Sequence, residues 1–308
     1  MAWVEAQPAG AADLYWGTPG ASADGGVLIV GGTGPGRLYV RTAGTWAEAQ
    51  PAGAADKAWY SACASADGNV LMAGTTRLWV RTAGTWAEAQ PAGDADKSWT
   101  AVASSADGGV LIAGSSPCRL WVRTAGTWAE ATPAGATDLS WFSAAASSDG
   151  NVLAAGANGG RLYVRTAGTW AEAQPAGDVN KMWRGLSISS TGNVIIAGAN
   201  GGRLYVRTAG TWAEAQPAGD VNKMWVTCAA SADGSVLVAG QDGGRLWVKS
   251  GGTWAEARPA GDADGAWKTA VSSDGSTIIA ANSGARLYVY DAPASSGHRL
   301  SLTGAGKL

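Results

Sequence analysis

Residues 141–170 read WFSAAASSDGNVLAAGANGGRLYVRTAGTW. Turn signals at Ser148-Asp149-Gly150 and Ala167-Gly168 cut the stretch into short runs of small, β-branched and aromatic residues, which is the pattern of strands rather than helices. No run of ten residues sustains a 3.6-residue period. The stretch recurs along the chain. One tryptophan series, in W-x-E-A, falls at Trp3, Trp46, Trp86, Trp128, Trp170, Trp212 and Trp254, with steps of 43, 40, 42, 42, 42 and 42. A second follows each member by 13 residues, at Trp16, Trp59, Trp99, Trp141, Trp183, Trp225 and Trp267. Arg-Leu-aromatic-Val begins at Arg37, Arg77, Arg119, Arg161, Arg203, Arg245 and Arg286. A period near 42 matches the length of a four-stranded propeller blade. The expectation is an all-β, seven-bladed β-propeller with four-stranded antiparallel blades.

In the second repeat the expected strands are a (59–65), b (69–73), c (77–82) and d (85–90), with Pro91 ending the ladder because it has no N–H to donate. The chain opens with a lone W-x-E-A strand, and its last repeat stops after Arg286-Leu287-Tyr288-Val289. Each end supplies what the other lacks, so the first strand should pair in the last blade and leave no sheet edge there. Residues 1–290 form the propeller in this reading, and 291–308, rich in Ser, Gly and Ala, form a C-terminal tail.

The c/d hairpin register follows from its residues. A two-residue turn at Ala43-Gly44 sets Arg41 opposite Trp46 and Tyr39 opposite Glu48, and places Leu38 and Val40 against Ala49 and Ala47. Polar-aromatic and small apolar chemistry then occupy opposite faces, whereas a three-residue turn mixes them. At the closing joint Tyr290 becomes the partner of Trp3.

The 308 residues are 46% hydrophobic and 15% charged, with net charge -2, so the chain has the composition of an ordered protein and no basic footprint for nucleic acid. No apolar stretch approaches the roughly 18 residues of a membrane helix, and membrane insertion is not expected. Cys63, Cys118 and Cys228 occupy non-equivalent positions without a C-x-x-C pair, which suggests buried fillers rather than a disulfide framework or zinc site. The opening Met-Ala-Trp-Val-Glu carries no basic segment and no apolar h-region, so a signal peptide is expected to be either absent or already removed, and the compartment is left open. The lone His298 in the tail excludes imidazole chemistry in the ring.

The run from Trp141 through Ser147-Ser148-Asp149-Gly150, followed by 160–170, resembles the Asp-box, sialidase-like (BNR-type) propeller family over residues 3–290. The S-x-D-G turn stands at Ser22/Asp24, Ser65/Asp67, Ser105/Asp107, Ser147/Asp149, Ser231/Asp233 and Ser272/Asp274, with Thr191 in the aspartate place of the fifth repeat. The family's terminal hairpin is shortened here to Thr166-Ala-Gly-Thr-Trp170 and lacks its aspartate. The resemblance implies the propeller fold. Sialidases of the family use an arginine triad, a tyrosine–glutamate pair and an acid/base aspartate, but in this chain arginines, glutamates and aspartates recur repeat by repeat instead of breaking the pattern. Catalysis needs dissimilar groups converging on one substrate, so no catalytic residues, metal or cofactor are expected.

The S-x-D-G turns read as Asx turns, since one carboxylate each falls short of the six to eight oxygens calcium takes. The paired tryptophan series reads as inter-blade packing, with an aromatic platform for sugars as the alternative. Candidate binding residues lie in the loops before strand a, at Asp13, Asp56, Asp96, Asp138, Asn180, Asn222 and Asp264, and in the b/c loops, at Asn158, Asn200 and Asp242. These loops share one face. The spacing from the turn residue to the next Arg varies as 13, 10, 12, 12, 12, 12 and 12, whereas Arg to Trp is always 9. Variable loops on a rigid scaffold are where binding resides. Residues 157–183 and 199–225 are identical over 27 positions, which argues against one specialised pocket among them. The expected role is a non-catalytic protein-interaction or structural module of a larger assembly. A multivalent lectin-like propeller is the alternative, with a glycan as partner, and a degenerate glycosidase stands behind both.

Overall fold

A computed structural model describes residues 3–10, 13–135 and 137–291. The expected tail, except Asp291, lies outside the described residues, as does His298. Regular structure among the described residues is entirely β, and no helix is long and apolar enough to cross a membrane. The strands form five four-stranded sheets and one of eight. Residues 141–173 display the unit: strand a (Trp141–Ala146), b (Val152–Ala157), c (Leu162–Thr166) and d (Thr169–Ala173), paired antiparallel in that order. The eight-stranded sheet is two such units. Strand b of the first (Val194–Gly202) runs on to meet strand a of the second (Lys223–Ala230) through Asn200↔Met224 and Gly202↔Lys223. The architecture is an all-β, propeller-like succession of repeated sheets.

Boundaries in the second repeat follow the sequence within two residues, at Ser61–Ala64, Val70–Gly74, Leu78–Thr82 and Thr85–Ala89. In the first repeat strand a shrinks to Gly20–Ala21, because Pro19 withdraws a donor just before it. The c/d register is the expected one, with Arg41↔Trp46, Tyr39↔Glu48, Val40↔Ala47 and Leu38↔Ala49. Its turn has φ of 47° at Ala43 and 84° at Gly44, the mirror-image geometry that matches strand twist. The opening strand Trp3–Ala6 pairs antiparallel with Leu287–Asp291, and Trp3 faces Tyr290.

Packing explains the second tryptophan series, whose members are buried to between 2% and 3% residual exposure. Each of these tryptophans packs against strand b of the preceding repeat, and in six of the seven a glycine there makes room for it, whereas Trp16 packs with Ala281. A Cβ on Gly156 would lie 2.6 Å from the Trp183 Cβ, and one on Gly114 would lie 2.6 Å from the Trp141 Cβ. Burying an indole of 150 to 250 Å² contributes a gross gain of roughly 4 to 6 kcal/mol as an upper bound. The clusters therefore straddle neighbouring repeats, as where Trp183 and Ile195 pack with Ala154 and Leu162. The same holds between the chain's ends, where Trp16 and Leu28 pack with Ile279 and Leu287. The first tryptophan series is only half-buried, lying on the outer margin of these clusters.

A series of backbone hydrogen bonds links the a/b turns of successive repeats. The donors and acceptors run Ala23 to Ala66 (2.8 Å), Ala66 to Ala106 (2.8 Å), Ala106 to Ser148 (2.9 Å) and Ser148 to Ser190 (2.9 Å). They continue Ser190 to Ala232, Ala232 to Ser273, and Ser273 back to Ala23, each at 2.7 Å. Within each Asp-containing turn the Ser hydroxyl donates to the Asp carboxylate and accepts the N–H five residues on. For Ser147 these bonds measure 2.6 Å to Asp149 and 2.9 Å from Val152. Gly150 takes φ of 67° beside Asp149, the left-handed conformation that the turn requires of its glycine.

Candidate functional site

The loops before strand a and the b/c loops lie together as expected: Gly36 bridges Lys57, Gly160 bridges Lys181, and Ala285 bridges Leu14. Five of the candidate aspartates are tied to the strand-c arginine of the preceding repeat. Arg37 meets Asp56 at 2.7 Å, Arg77 meets Asp96 at 2.6 Å, and Arg119 meets Asp138 at 2.7 Å. Arg245 meets Asp264 at 2.9 Å, and Arg286 meets Asp13 at 2.8 Å. Asn180 and Asn222 carry no charge to offer. There the carboxylate comes from two residues earlier, with Arg161–Asp178 at 2.5 Å and Arg203–Asp220 at 2.7 Å. Each of these arginines also reaches the strand-d glutamate of its own sheet, as in Arg161–Glu172 at 3.5 Å. Asn180 and Asn222 are exposed, whereas Asn158, Asn200 and Asp242 are half-buried in the b/c connections. The Asn158 Oδ1 is buried without a partner, and the Asp242 N–H donates to the Met224 carbonyl.

Beside these paired charges the same face exposes apolar side chains. Val179 and Met182 are 44% and 37% exposed, and their counterparts 42 residues on, Val221 and Met224, are 46% and 44% exposed. On the outer side, a groove of about 510 Å³ runs between the second and third repeats, lined by Glu88, Gln90, Arg123 and Trp128.

A third region lies where the strands a approach one another. A cavity of about 180 Å³ is lined by strand-a residues of every repeat: Ala21, Ala64, Ser104, Ala146, Ile188, Ala230 and Val271. Toward the loop face it adjoins a smaller space of about 50 Å³ lined by Thr18, Thr100, Phe142, Arg184 and Val226. These last residues follow the buried tryptophans directly, or by two positions for Thr18. Arg184 and Phe142 escape the sequence reading, although a signal existed: the position after each second-series tryptophan is Gly17, Tyr60, Thr100, Phe142, Arg184, Val226 and Lys268, different in all seven repeats.

The cysteines are free; Cys118 and Cys228 are buried, and Cys63 is half-buried. Burial pushes the Cys63 thiol up to about 12 and raises Cys228 as well, so neither is a thiolate near neutrality. The turn carboxylates move the other way: hydrogen bonds from the Ser147 hydroxyl and the Asn151 N–H lower Asp149, and those from Ser235 and Ser231 hold Asp233 at about 2. Among the described residues no group of three or more His, Cys, Asp or Glu side chains gathers as a metal site. No protein-family model matches the sequence, and no curated protein aligns with it significantly.

Proposed function

We propose that the chain is a seven-bladed β-propeller of Asp-box, sialidase-like kind, closed by its N-terminal strand, and that it acts as a non-catalytic protein-interaction or structural module of a larger assembly. Three features support closure: the hydrogen-bond series returning from Ser273 to Ala23, the Arg286–Asp13 pair repeating the Arg37–Asp56 contact, and the core shared by Trp16 and Leu287. The Ser147–Asp149 bond and its counterparts support the Asp-box resemblance. Chemistry speaks against catalysis. The loop-face carboxylates recur repeat by repeat and are engaged by neighbouring arginines, which speaks against their converging on one substrate.

The observation that carries the partner reading is the duplicated exposed pair, Val179/Met182 and Val221/Met224, beside Asp178 and Asp220, which are paired with Arg161 and Arg203. Apolar side chains framed by polar ones mark protein contact surfaces. A photo-crosslinker at Val221 is expected to capture one defined protein from the native source. Capture should disappear when Val179, Met182, Val221 and Met224 are all changed to Ser with the fold intact. Unchanged capture by that variant refutes the reading.

A lectin-like function is the second reading, favoured by the Trp128 groove. A half-buried indole beside Glu88, Gln90 and Arg123 offers a sugar ring both a stacking face and hydrogen-bonding groups. Saturable tryptophan quenching by hits from a glycan array, lost in W128A, selects it over the first.

A further inference from the structure

The residue after each buried tryptophan is where the repeat stops repeating. Residues 157–183 and 199–225 are identical, and the next positions are Arg184 and Val226. Local geometry sets these side chains apart as well. In the third to sixth repeats the a/b register slips between the tryptophan and the second residue after it, as between Trp141 and Ser143 and between Trp183 and Gly185. The residue between them is a bulge, a device that re-aims a side chain. In the fifth repeat it carries Arg184 to the cavity wall, its Cζ 4.7 Å from the centre of the Phe142 ring. The Arg184 Nε is buried without a hydrogen-bond partner.

The seventh repeat is built differently after its tryptophan. Its tryptophan-to-serine spacing, Trp267 to Ser272, is one residue shorter than Trp225 to Ser231, so the bulge is gone and Lys268 pairs in register with Ala281. Lys268 is half-buried and feels Arg184 as a repelling charge. Among the described residues neither cation forms an ion pair, whereas the arginine that opens Arg-Leu-aromatic-Val is paired in every repeat. Arg184 lines the recess with an orphaned donor, and Asp242, the carboxylate that acts on Lys268, forms no ion pair with either cation.

We propose that the loop-face mouth of the cavity between the strands a binds a small oxyanion, of the size of phosphate, sulfate or a short carboxylate, held by Arg184, which lines it, with Lys268 as a neighbouring cation outside the lining. The guanidinium supplies a planar fork of donors suited to such groups, and Lys268 adds a point charge. The Phe142 ring adds a cation–π contact to the guanidinium. The recess of about 50 Å³, opening to about 180 Å³, admits an ion of a few heavy atoms and is too small for drug-sized ligands. The site is independent of the loop-face partner and of the outer groove.

The test is a thermal-shift titration of the full chain with inorganic phosphate, sulfate and acetate, with ionic strength held constant by chloride. A ligand of the native state alone raises the melting temperature in a saturable way, and that is the expected result for wild type. R184Q and K268Q should each weaken the apparent affinity on the order of tenfold, the loss of one charged hydrogen bond. R184K should fall between, and R81Q, outside the cavity, should match wild type. Circular dichroism checks that each variant is folded, and K268Q decides the matter if R184Q does not fold. No saturable shift in wild type, or the same shift in wild type, R184Q and K268Q, overturns the proposal.

Discussion

Replacing Ser147 by Ala and, separately, Ser189 by Ala isolates the energetic worth of the turn carboxylate, because the fifth repeat lacks it by nature. Ser147 Oγ donates to Asp149 at 2.6 Å and accepts the Val152 N–H at 2.9 Å. Ser189 Oγ accepts the Val194 N–H at 3.0 Å, and Thr191 stands where the aspartate would. Both serines are fully buried, at 0% and 1% exposure. The two alanine variants each strand one backbone N–H, at about 1 to 2 kcal/mol. S147A also loses a charge-assisted bond, nominally about 1.5 to 3 kcal/mol, which is reduced to roughly 1 kcal/mol because Asp149 is exposed to solvent. For a chain of this length 1 kcal/mol corresponds to about 1.5 °C. S189A should therefore melt about 2 to 3 °C below wild type, and S147A about 1.5 °C lower again. The difference has a pH signature. Asp149 is held below its ordinary value of 3.8 in the folded state, so its contribution is fully present above about pH 4 and fades as pH falls through the lowered folded value. Differential scanning calorimetry from pH 7 downward measures both variants. Equal melting temperatures at pH 7, or a gap that stays constant into acid, would mean that the carboxylate adds nothing to the turn.

Gly156→Ala forces a Cβ to within 2.6 Å of the Trp183 Cβ and 2.9 Å of the Trp183 carbonyl; overpacking of this kind costs about 1 to 3 kcal/mol, and an unchanged melting temperature would contradict the packing described. Lys268→Met removes a cation that burial and Arg184 hold down at about 8, with Asp242 pulling it upward. Its folded value is below the unfolded one of 10.5, so wild type is penalised most below pH 8 and recovers between pH 8 and 10.5. K268M is expected to melt about 2 to 5 °C higher at pH 7, with the advantage shrinking toward pH 10 in a pH series of melts. Deleting residues 1–7 strips the partner from Leu287–Asp291 and removes the half-buried Trp3. The loss is about 2 to 3 kcal/mol from the indole, and the bare strand edge should promote self-association visible by light scattering; a monomer of wild-type stability would argue that the first strand closes nothing.

Strands and their register were legible because turn chemistry leaves few options. Ala43-Gly44 sets the c/d hairpin, and once Arg41 faces Trp46 every other pair follows. Glycine at 156 was visible but its reason was not, since a sequence does not reveal that the Cβ and carbonyl of Trp183 lie against it. The loop aspartates were found, yet their engagement was hidden because each partner lies in the preceding repeat. A clue was present in the spacing: Asp stands 19 residues after Arg in Arg37/Asp56 and Arg119/Asp138, and where Asn180 takes that place Asp178 appears two residues earlier. Arg184 and Lys268 were missed for a different reason. Aligning repeats rewards what is common, and these residues are what differs.

That difference bears on where a repeat protein can do anything specific. Groups copied into every repeat, such as Arg161 with Asp178 and Arg203 with Asp220, are carried apart by the repeat itself, so they meet neighbours but never their own equivalents. Convergence of unlike residues is possible only where all repeats approach one another, and the cavity lined by Ala21, Ala146 and Val271 is that place. Most of its wall is small and alike, which lets the strands a come close. The seven positions after the buried tryptophans differ in every repeat, and they stand at its mouth for the residues whose lining is seen, Thr100, Phe142, Arg184 and Val226. The identical runs 155–183 and 197–225 end at the tryptophans before Arg184 and Val226, so the scaffold is uniform there and this rim is distinct. Uniform loops can add equal contacts over a broad face, whereas an unpaired Arg184 beside Lys268 can select a ligand by charge and shape.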